Sequence, residues 1–236
     1  MCAVFAALLL AGFAIFPRLQ PAISHPWEGL ATGTGAGNVS CGDALNVTGA
    51  TYTMNASSAI NGSTCFSITA ANVVLNCNGY SITGNNTAST YGVISTQLNS
   101  TIRNCIISGF YNGIYFNGAD NSTIDNVTAT ITTANGYAFW FASGSLYNLI
   151  NNSNGNTTSS SVGTSCMFIS SNSNKFMNTV CSTSSTSTTA AAIYLNSASF
   201  NVITNVSATA TGIARGISFY GASSNNVSNS TGKSKT

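Results

Sequence analysis

Residues 112–128 read NGIYFNGADNSTIDNVT, and two short segments in this stretch, GIYF and STI, decide the fold of the chain. Both segments alternate between positions facing a core and positions facing away, as strands with one buried face do. The Asn, Gly and Asp residues between them favour tight turns. The same two-part pattern returns along the 236 residues of the chain. The stretch is therefore one copy of an internal repeat.

Strands of the GIYF type align in two columns that lie two residues apart. The first column holds Phe66, Val93, Ile114, Phe139, Met167, Ile193 and Ile217. The second column holds Ile68, Ser95, Phe116, Phe141, Ile169, Leu195 and Phe219. Strands of the STI type give a third column of Val74, Ile102, Ile124, Ile150, Met177, Ile203 and Val227. Apolar side chains at all but one of these positions predict a continuous core face.

The repeat is 22–28 residues long, which leaves room for two or three short strands but not for an amphipathic helix. We therefore expect an all-β solenoid, a parallel β-helix of about seven coils that stack about 4.8 Å apart. Asparagines two residues beyond the third column predict a ladder of stacked amides in tight turns. The predicted ladder is Asn76, Asn104, Asn126, Asn152, Asn205 and Asn229, with Thr179 in the remaining place. Asn126, Asn205 and Asn229 are expected to be buried.

Three phrases carry a family resemblance: NVVLNCNGYSITG (72–84), NSTIRNCIISGFYNGIYF (99–116) and NSTIDNV (121–127). They resemble the right-handed parallel β-helix repeat family, which includes pectate-lyase-like enzymes, phage tailspikes and surface proteins of archaea and bacteria. The resemblance covers about residues 60–236 and is closest in character to the cell-surface members. It implies a right-handed coil and says little about activity, because this fold hosts many functions.

The N-terminal region predicts export. Residues 3–16 form an apolar run that is shorter than the roughly 20 residues of a membrane span, and PAIS (21–24) resembles a cleavage site. We interpret residues 1–24 as a signal peptide, with a buried strand or helix as the alternative, and residues 25–40 as a flexible linker. The β-helix domain is expected over residues 41–236, with its first strand and cap in 41–65. Its C-terminal end is expected to be uncapped or truncated, or covered by a second copy.

Composition excludes several function classes. Only 4% of the residues are charged and the net charge is +2, so the chain lacks the basic patch of a nucleic-acid-binding protein. Of the four acidic residues, only Asp120 and Asp125 could be neighbours, and their spacing does not place them on one strand face. The single histidine, His25, lies beside the predicted leader. We therefore expect no enzyme activity, no cofactor and no metal site.

Seven cysteines occur, of which Cys2 would leave with the leader. An even number of cysteines in an exported chain favours disulfides. Cys77 and Cys105 align in neighbouring coils, within bonding reach. The predicted pairs are Cys41–Cys65, Cys77–Cys105 and Cys166–Cys181, and buried free thiols at Cys77 and Cys105 are the alternative.

Asn-x-Ser/Thr sequons recur along the chain. Those on predicted turns and loops, where a glycan could be attached, are Asn46, Asn55, Asn61, Asn85, Asn99, Asn121 and Asn156. Glycans are expected to spare the predicted ladder.

One column of the GIYF-type strands faces outward and carries four aromatic side chains in consecutive coils. They are Tyr115, Trp140, Phe168 and Tyr194. A strip of rings can pack against another protein, stack on sugars, or stabilise the sheet through neighbouring side chains. These residues are the candidate binding or interface residues.

Taken together, these patterns favour an exported, N-glycosylated structural protein of the cell surface or extracellular space. Its expected partners are copies of itself or other envelope proteins, and glycans are possible ligands. Membrane contact is expected only through the leader, and no nucleic acid is expected. The first alternative is a non-catalytic carbohydrate-binding β-helix, and the second is a polysaccharide lyase or hydrolase.

Overall fold

The computed structural model describes residues 37–142, 144–159 and 163–234, which form 24 strands in three parallel sheets, numbered here in chain order. Sheet 1 contains β1 (Ala44–Leu45), β4 (Phe66–Ile68), β7 (Tyr91–Ser95), β10 (Asn112–Phe116), β13 (Tyr137–Phe141), β16 (Ser165–Ile169), β19 (Ala191–Asn196) and β22 (Arg215–Tyr220). Sheet 2 contains β2 (Thr51–Thr53), β5 (Val74–Asn76), β8 (Thr101–Arg103), β11 (Thr123–Asp125), β14 (Leu149–Asn151), β17 (Lys175–Met177), β20 (Val202–Thr204) and β23 (Asn226–Ser228). Sheet 3 contains β3 (Ser58–Ala59), β6 (Ser81–Thr83), β9 (Ile106–Ser108), β12 (Thr128–Ile131), β15 (Asn154–Thr157), β18 (Val180–Thr183), β21 (Ser207–Ala210) and β24 (Thr231–Ser234).

Every strand pairs in parallel with the strand three places along the chain. In sheet 1, for example, Ile114 of β10 lies between Val93 of β7 and Phe139 of β13. The chain therefore visits sheets 1, 2 and 3 in turn and then begins the next coil. The predicted parallel β-helix is confirmed by this topology.

The core lies between the three sheets and is built from the inward columns. Sheet 1 contributes Phe116 and Phe141, sheet 2 contributes Ile102 and Ile124, and all four side chains are fully buried. Ser95, the polar residue in the second column, is also buried, and its hydroxyl shares a 2.7 Å hydrogen bond with that of Ser100. In the last described coil, Phe219 and Val227 are exposed.

The third column differs from the prediction at two positions. Leu75 aligns with Ile102, and Phe176 aligns with Ile150, so these residues point inward where Val74 and Met177 were expected. Both predicted residues lie next to another apolar residue, so apolar character alone did not fix the register. Burial decides it, since Leu75 and Phe176 are fully buried whereas Val74 and Met177 are only partly buried.

Left-handed backbone conformations mark both corners of sheet 2. In sheet 2, one such residue precedes every strand from β5 to β23. A second such residue directly follows every strand of this sheet from β8 to β23. The preceding residues are Asn72, Asn99, Asn121, Tyr147, Ser173, Phe200 and Ser224. The following residues are Asn104, Asn126, Asn152, Asn178, Asn205 and Asn229. Asparagine dominates because its short polar side chain tolerates this conformation.

The predicted signal peptide (1–24) and most of the predicted linker (25–40) lie outside the described residues, as do Cys2, His25 and Glu28. In the part of the chain that the structure describes, no helix has the length and apolar character needed to cross a membrane.

Candidate functional site: an aromatic face beside two amide ladders

The outer surface of sheet 1 carries a cluster of rings, here called the aromatic face. The parallel register places the four predicted residues Tyr115, Trp140, Phe168 and Tyr194 side by side in four consecutive coils. Two further tyrosines, Tyr91 and Tyr137, join them from positions near the start of β7 and β13. All six rings are partly exposed. The sequence columns identified the four central rings and missed these two.

The rings of the aromatic face stack mainly on one another. Tyr115 lies between Tyr91, at 5.0 Å between ring centroids, and Trp140, at 4.2 Å, with interplanar angles of 19° and 27°. Tyr137 stacks on Phe168 at 4.8 Å and meets Trp140 edge-on. Neighbouring rings therefore cover both faces of Tyr115 and one face of each of the other stacked rings. Sugar rings stack on exposed aromatic faces, so this arrangement favours sheet stabilisation and protein contact over sugar stacking.

Burial changes the ionisation of three tyrosines on this face. Partial desolvation raises the pKa of Tyr91, Tyr115 and Tyr137. Neighbouring tyrosines add a smaller effect in the same direction, Tyr111 acting on Tyr91 and on Tyr137. The folded state therefore holds these phenols in the neutral form at pH values where the phenols of an unfolded chain ionise.

This difference predicts a loss of stability at high pH. An unfolded tyrosine ionises with a pKa of about 10. Because the pKa of Tyr137 is raised in the folded state, its contribution is complete below pH 10 and is lost as the pH rises towards the folded pKa. We expect Tyr137→Phe to reduce the slope of unfolding free energy against pH above pH 10, as measured by urea unfolding. Phe219→Leu, which removes an exposed ring outside the aromatic face and no phenol, should keep the wild-type slope, and an equal effect of both variants would contradict this cause.

An outer amide ladder follows the second corner of sheet 2. Asn104 Nδ2 donates to Asn76 Oδ1 at 2.9 Å, and Asn126 Nδ2 donates to Asn104 Oδ1 at 2.8 Å. In later coils Asn205 Nδ2 donates to Asn178 Oδ1 at 2.8 Å. Asn178 therefore occupies the place expected for Thr179.

The outer ladder differs from the prediction in two further ways. Asn152 Nδ2 donates to Asp125 Oδ1 at 3.4 Å and not to Asn126. At this coil the acceptor of the ladder is therefore the residue one position earlier in the chain. Asn126, Asn205 and Asn229 are exposed, although they were expected to be buried. The physical reason is their position: a left-handed residue at a convex corner points its side chain away from the core.

A second, inner ladder lies at the other corner of sheet 2 and is buried. Asn148, Asn174 and Asn201 are each at most 1% exposed. The side-chain oxygen of each accepts the backbone N–H of the equivalent residue one coil earlier: Ser122 donates to Asn148, Asn148 to Asn174, and Asn174 to Asn201, at 2.7–2.8 Å. Asn225 continues the row by accepting from Asn201. The sequence signal for this ladder is a Ser or Asn two residues before each third-column residue from Ile102 onward. The signal is regular only when Phe176, and not Met177, is placed in the third column.

The described acidic residues are all engaged in local structure. Asp43 Oδ2 accepts the backbone N–H of Ser40 at 2.7 Å, and Asp120 Oδ1 accepts that of Leu146 at 2.7 Å. Asp125 is the last residue of β11 and accepts from Asn151 Nδ2 at 3.0 Å. In the residues described here, no group of three or more His, Cys, Asp or Glu side chains could hold a metal ion. The carboxylates serve as hydrogen-bond acceptors for turns and ladders.

Three disulfides are present, and they are the three predicted pairs. Cys41–Cys65 and Cys77–Cys105 each join one coil to the next, whereas Cys166–Cys181 joins β16 to β18 within a single coil. The pairing prediction is confirmed, including Cys77–Cys105, for which free thiols were the alternative. Three disulfides indicate that the chain folds in an oxidising compartment.

The predicted glycosylation sites differ in exposure. The exposed asparagines are Asn46, Asn55, Asn61, Asn85, Asn99 and Asn121. Asn156 was expected in a loop, but it lies within β15, is partly buried, and accepts a hydrogen bond from Ser182 Oγ at 2.8 Å. The sequence of β15, NGNT, lacks the alternation of apolar and polar residues that marks a strand. Its Asn and Gly residues resemble a turn, which is why Asn156 was predicted in a loop.

Comparison with known proteins gives one likeness. No family model matches the chain, and no curated protein matches it. Among solved structures, the chain is similar to the A-module of the mannuronan C-5 epimerase AlgE4 of Azotobacter vinelandii, with 12% identity and a TM-score of 0.49. The match covers 82% of this chain and 65% of that chain. A likeness of this degree says nothing about activity.

Proposed function

We propose that the chain is an exported structural protein of a cell surface or extracellular layer. It is N-glycosylated there and assembles through its β-helix with copies of itself or with other envelope proteins. The observation that carries this proposal is the number of different interactions that join each coil to the next. Three continuous sheets, two amide ladders, a row of stacked rings and two inter-coil disulfides all act along the same axis.

Export and glycosylation are supported by the disulfides and by the exposed sequons. Six of the seven candidate asparagines are exposed, and they lie outside the strands, so a glycan there would extend into solvent. A chain with 4% charged residues has few ionic groups to hydrate its surface. Attached sugars would supply that hydration. Glycans are expected to spare Asn126, whose Nδ2 already donates to Asn104, and by the same argument Asn99, whose Nδ2 donates to Asn72 Oδ1 at 2.9 Å.

The alternative functions fit the geometry less well. A carbohydrate-binding face needs ring faces open to sugar, whereas the stacked rings of the aromatic face cover one another. A polysaccharide hydrolase needs two carboxyl groups that flank the scissile bond. The three described carboxylates are instead hydrogen-bonded to turns and ladders.

The test is the mass and shape of the secreted full chain, measured by light scattering and negative-stain imaging at several concentrations. Fibres, sheets or long oligomers that grow with concentration are the expected result. Peptide mapping of the same material should find glycans on Asn46, Asn55, Asn61, Asn85 and Asn121 and none on Asn126. A monomer at every concentration, together with binding on a glycan array, would overturn the proposal in favour of a carbohydrate-binding protein.

A further inference from the structure

Tyr91 and Tyr115 lie on neighbouring strands of the aromatic face, with ring centroids 5.0 Å apart and planes 19° from parallel. Both side chains are partly exposed. Within the described residues, they are the one pair of tyrosines whose rings stack on each other. The paired strands β7 and β10 hold the two rings in place through the register of Ile94 with Tyr115. Two phenols are therefore held in contact at a surface that small oxidants can reach.

We propose that this pair is a site of oxidative cross-linking, at which a haem peroxidase with hydrogen peroxide joins Tyr91 and Tyr115 as dityrosine. Each phenol loses one electron and one proton. The two radicals then form a carbon–carbon bond between ring carbons adjacent to the hydroxyl-bearing carbons. The hydrogens on the joined carbons move to the phenol oxygens and restore both aromatic rings. Hydrogen peroxide accepts the two electrons and two protons and becomes two molecules of water.

The position of the pair in the coil sequence supports this assignment. Cys41–Cys65 joins the first described coil to the second, and Cys77–Cys105 joins the second to the third. Tyr91 lies in β7 of the third coil and Tyr115 in β10 of the fourth. A dityrosine here would therefore extend the series of covalent links by one coil. The inference rests on ring geometry and does not depend on the proposed function.

The neighbouring indole strengthens the site. Trp140 stacks on the other side of Tyr115 with ring centroids 4.2 Å apart, so an electron removed from the indole can be replaced from the phenol in contact with it. Tyr137 meets Trp140 edge-on at 5.5 Å but stacks on Phe168, which has no phenol. Tyr137 therefore has no stacked phenol with which to couple, whereas Tyr115 has Tyr91.

The experiment treats the full-length secreted protein with a haem peroxidase and hydrogen peroxide, and separately with a photochemical one-electron oxidant that needs no enzyme access. Dityrosine fluorescence, intact mass and peptide mapping follow the product. The expected result is an intramolecular link between the peptides of Tyr91 and Tyr115, with the loss of two hydrogen atoms. The link should be lost in Tyr91→Phe and in Tyr115→Phe, which keep the stacked rings and so keep the fold.

The matched controls are Tyr147→Phe and Tyr220→Phe, because Tyr147 and Tyr220 are 64% and 66% exposed and neither is part of the aromatic face. Both control variants should form the link as the wild type does. Dityrosine that maps to Tyr147 or Tyr220, or that joins only separate molecules, would show that exposure and not stacking selects the site. Either result would overturn the proposal, as would oxidation of other residues without any dityrosine.

Discussion

Replacing Phe141 by alanine is expected to lower the free energy of unfolding by about 3–5 kcal/mol, the range for deleting a buried phenylalanine. Phe141 is fully buried and lies between two other core rings. It meets Phe116 edge-on at 5.5 Å and Phe176 edge-on at 5.4 Å between ring centroids. Its loss would leave a cavity bordered by rings of the two neighbouring coils, and the close-packed core leaves little freedom to fill it.

The measurement is denaturant unfolding of wild type and variant, followed by circular dichroism and by tryptophan fluorescence. Phe168→Ala is the matched control, since Phe168 is an aromatic residue one coil later that faces outward. Losing its cross-strand contacts should cost about 1 kcal/mol or less. Equal losses for the two variants would contradict the inward assignment of the second column. A changed denaturant slope would show that coils unfold separately, as repeat proteins can.

Replacing Asn174 by alanine is expected to cost about 3 kcal/mol, because it leaves several buried polar groups without partners at once. Asn174 Oδ1 accepts the backbone N–H of Asn148 at 2.8 Å. Its Nδ2 donates to Ser171 Oγ at 2.9 Å and to the carbonyl of Asn172 at 3.0 Å. Alanine fills none of these roles, and a buried N–H without an acceptor retains the full cost of its desolvation.

The control lies four residues away, in the outer ladder. Asn178 is exposed, adopts a left-handed conformation with φ of 49°, and donates to Asn151 Oδ1 at 2.9 Å. Asn178→Gly keeps the conformation and removes one exposed hydrogen-bonded amide, so it should cost about 1 kcal/mol or less. Chemical denaturation of both variants under the same conditions provides the test. The inner ladder would have no special importance if Asn178→Gly proved the more damaging change.

The solenoid was predictable because its signal is repeated. An isolated GIYF segment could belong to many folds. Seven aligned copies at short, similar intervals are compatible only with a fold in which equivalent strands stack on one another. The same redundancy predicted the disulfide Cys77–Cys105, since the two cysteines share a column in neighbouring coils. Where a strand held two adjacent apolar residues, as in VVL (73–75) and KFM (175–177), the register was wrong by one residue.

The candidate site was only partly predictable. The sequence placed Tyr115 and Trp140 on an outward column, but the column does not specify how the rings turn. Ring orientation depends on side-chain packing between coils, and it is this orientation that covers the ring faces. The inner ladder was missed because Asn148, Asn174 and Asn201 look like turn residues in a chain rich in asparagine. Their burial depends on backbone groups one coil away, which no local pattern reveals.

The in-register columns also make the coil the unit in which such a chain can change its length. Ile124, Ile150 and Phe176 align in successive coils, and both steps, 150 − 124 and 176 − 150, equal 26 residues. Removing or duplicating 26 residues here would join equivalent positions and leave every column intact, whereas a one-residue slip would turn inward side chains outward. A gene that encodes this fold can thus lengthen its product by copying whole coils, and the β-helix can gain coils without a redesign of its core.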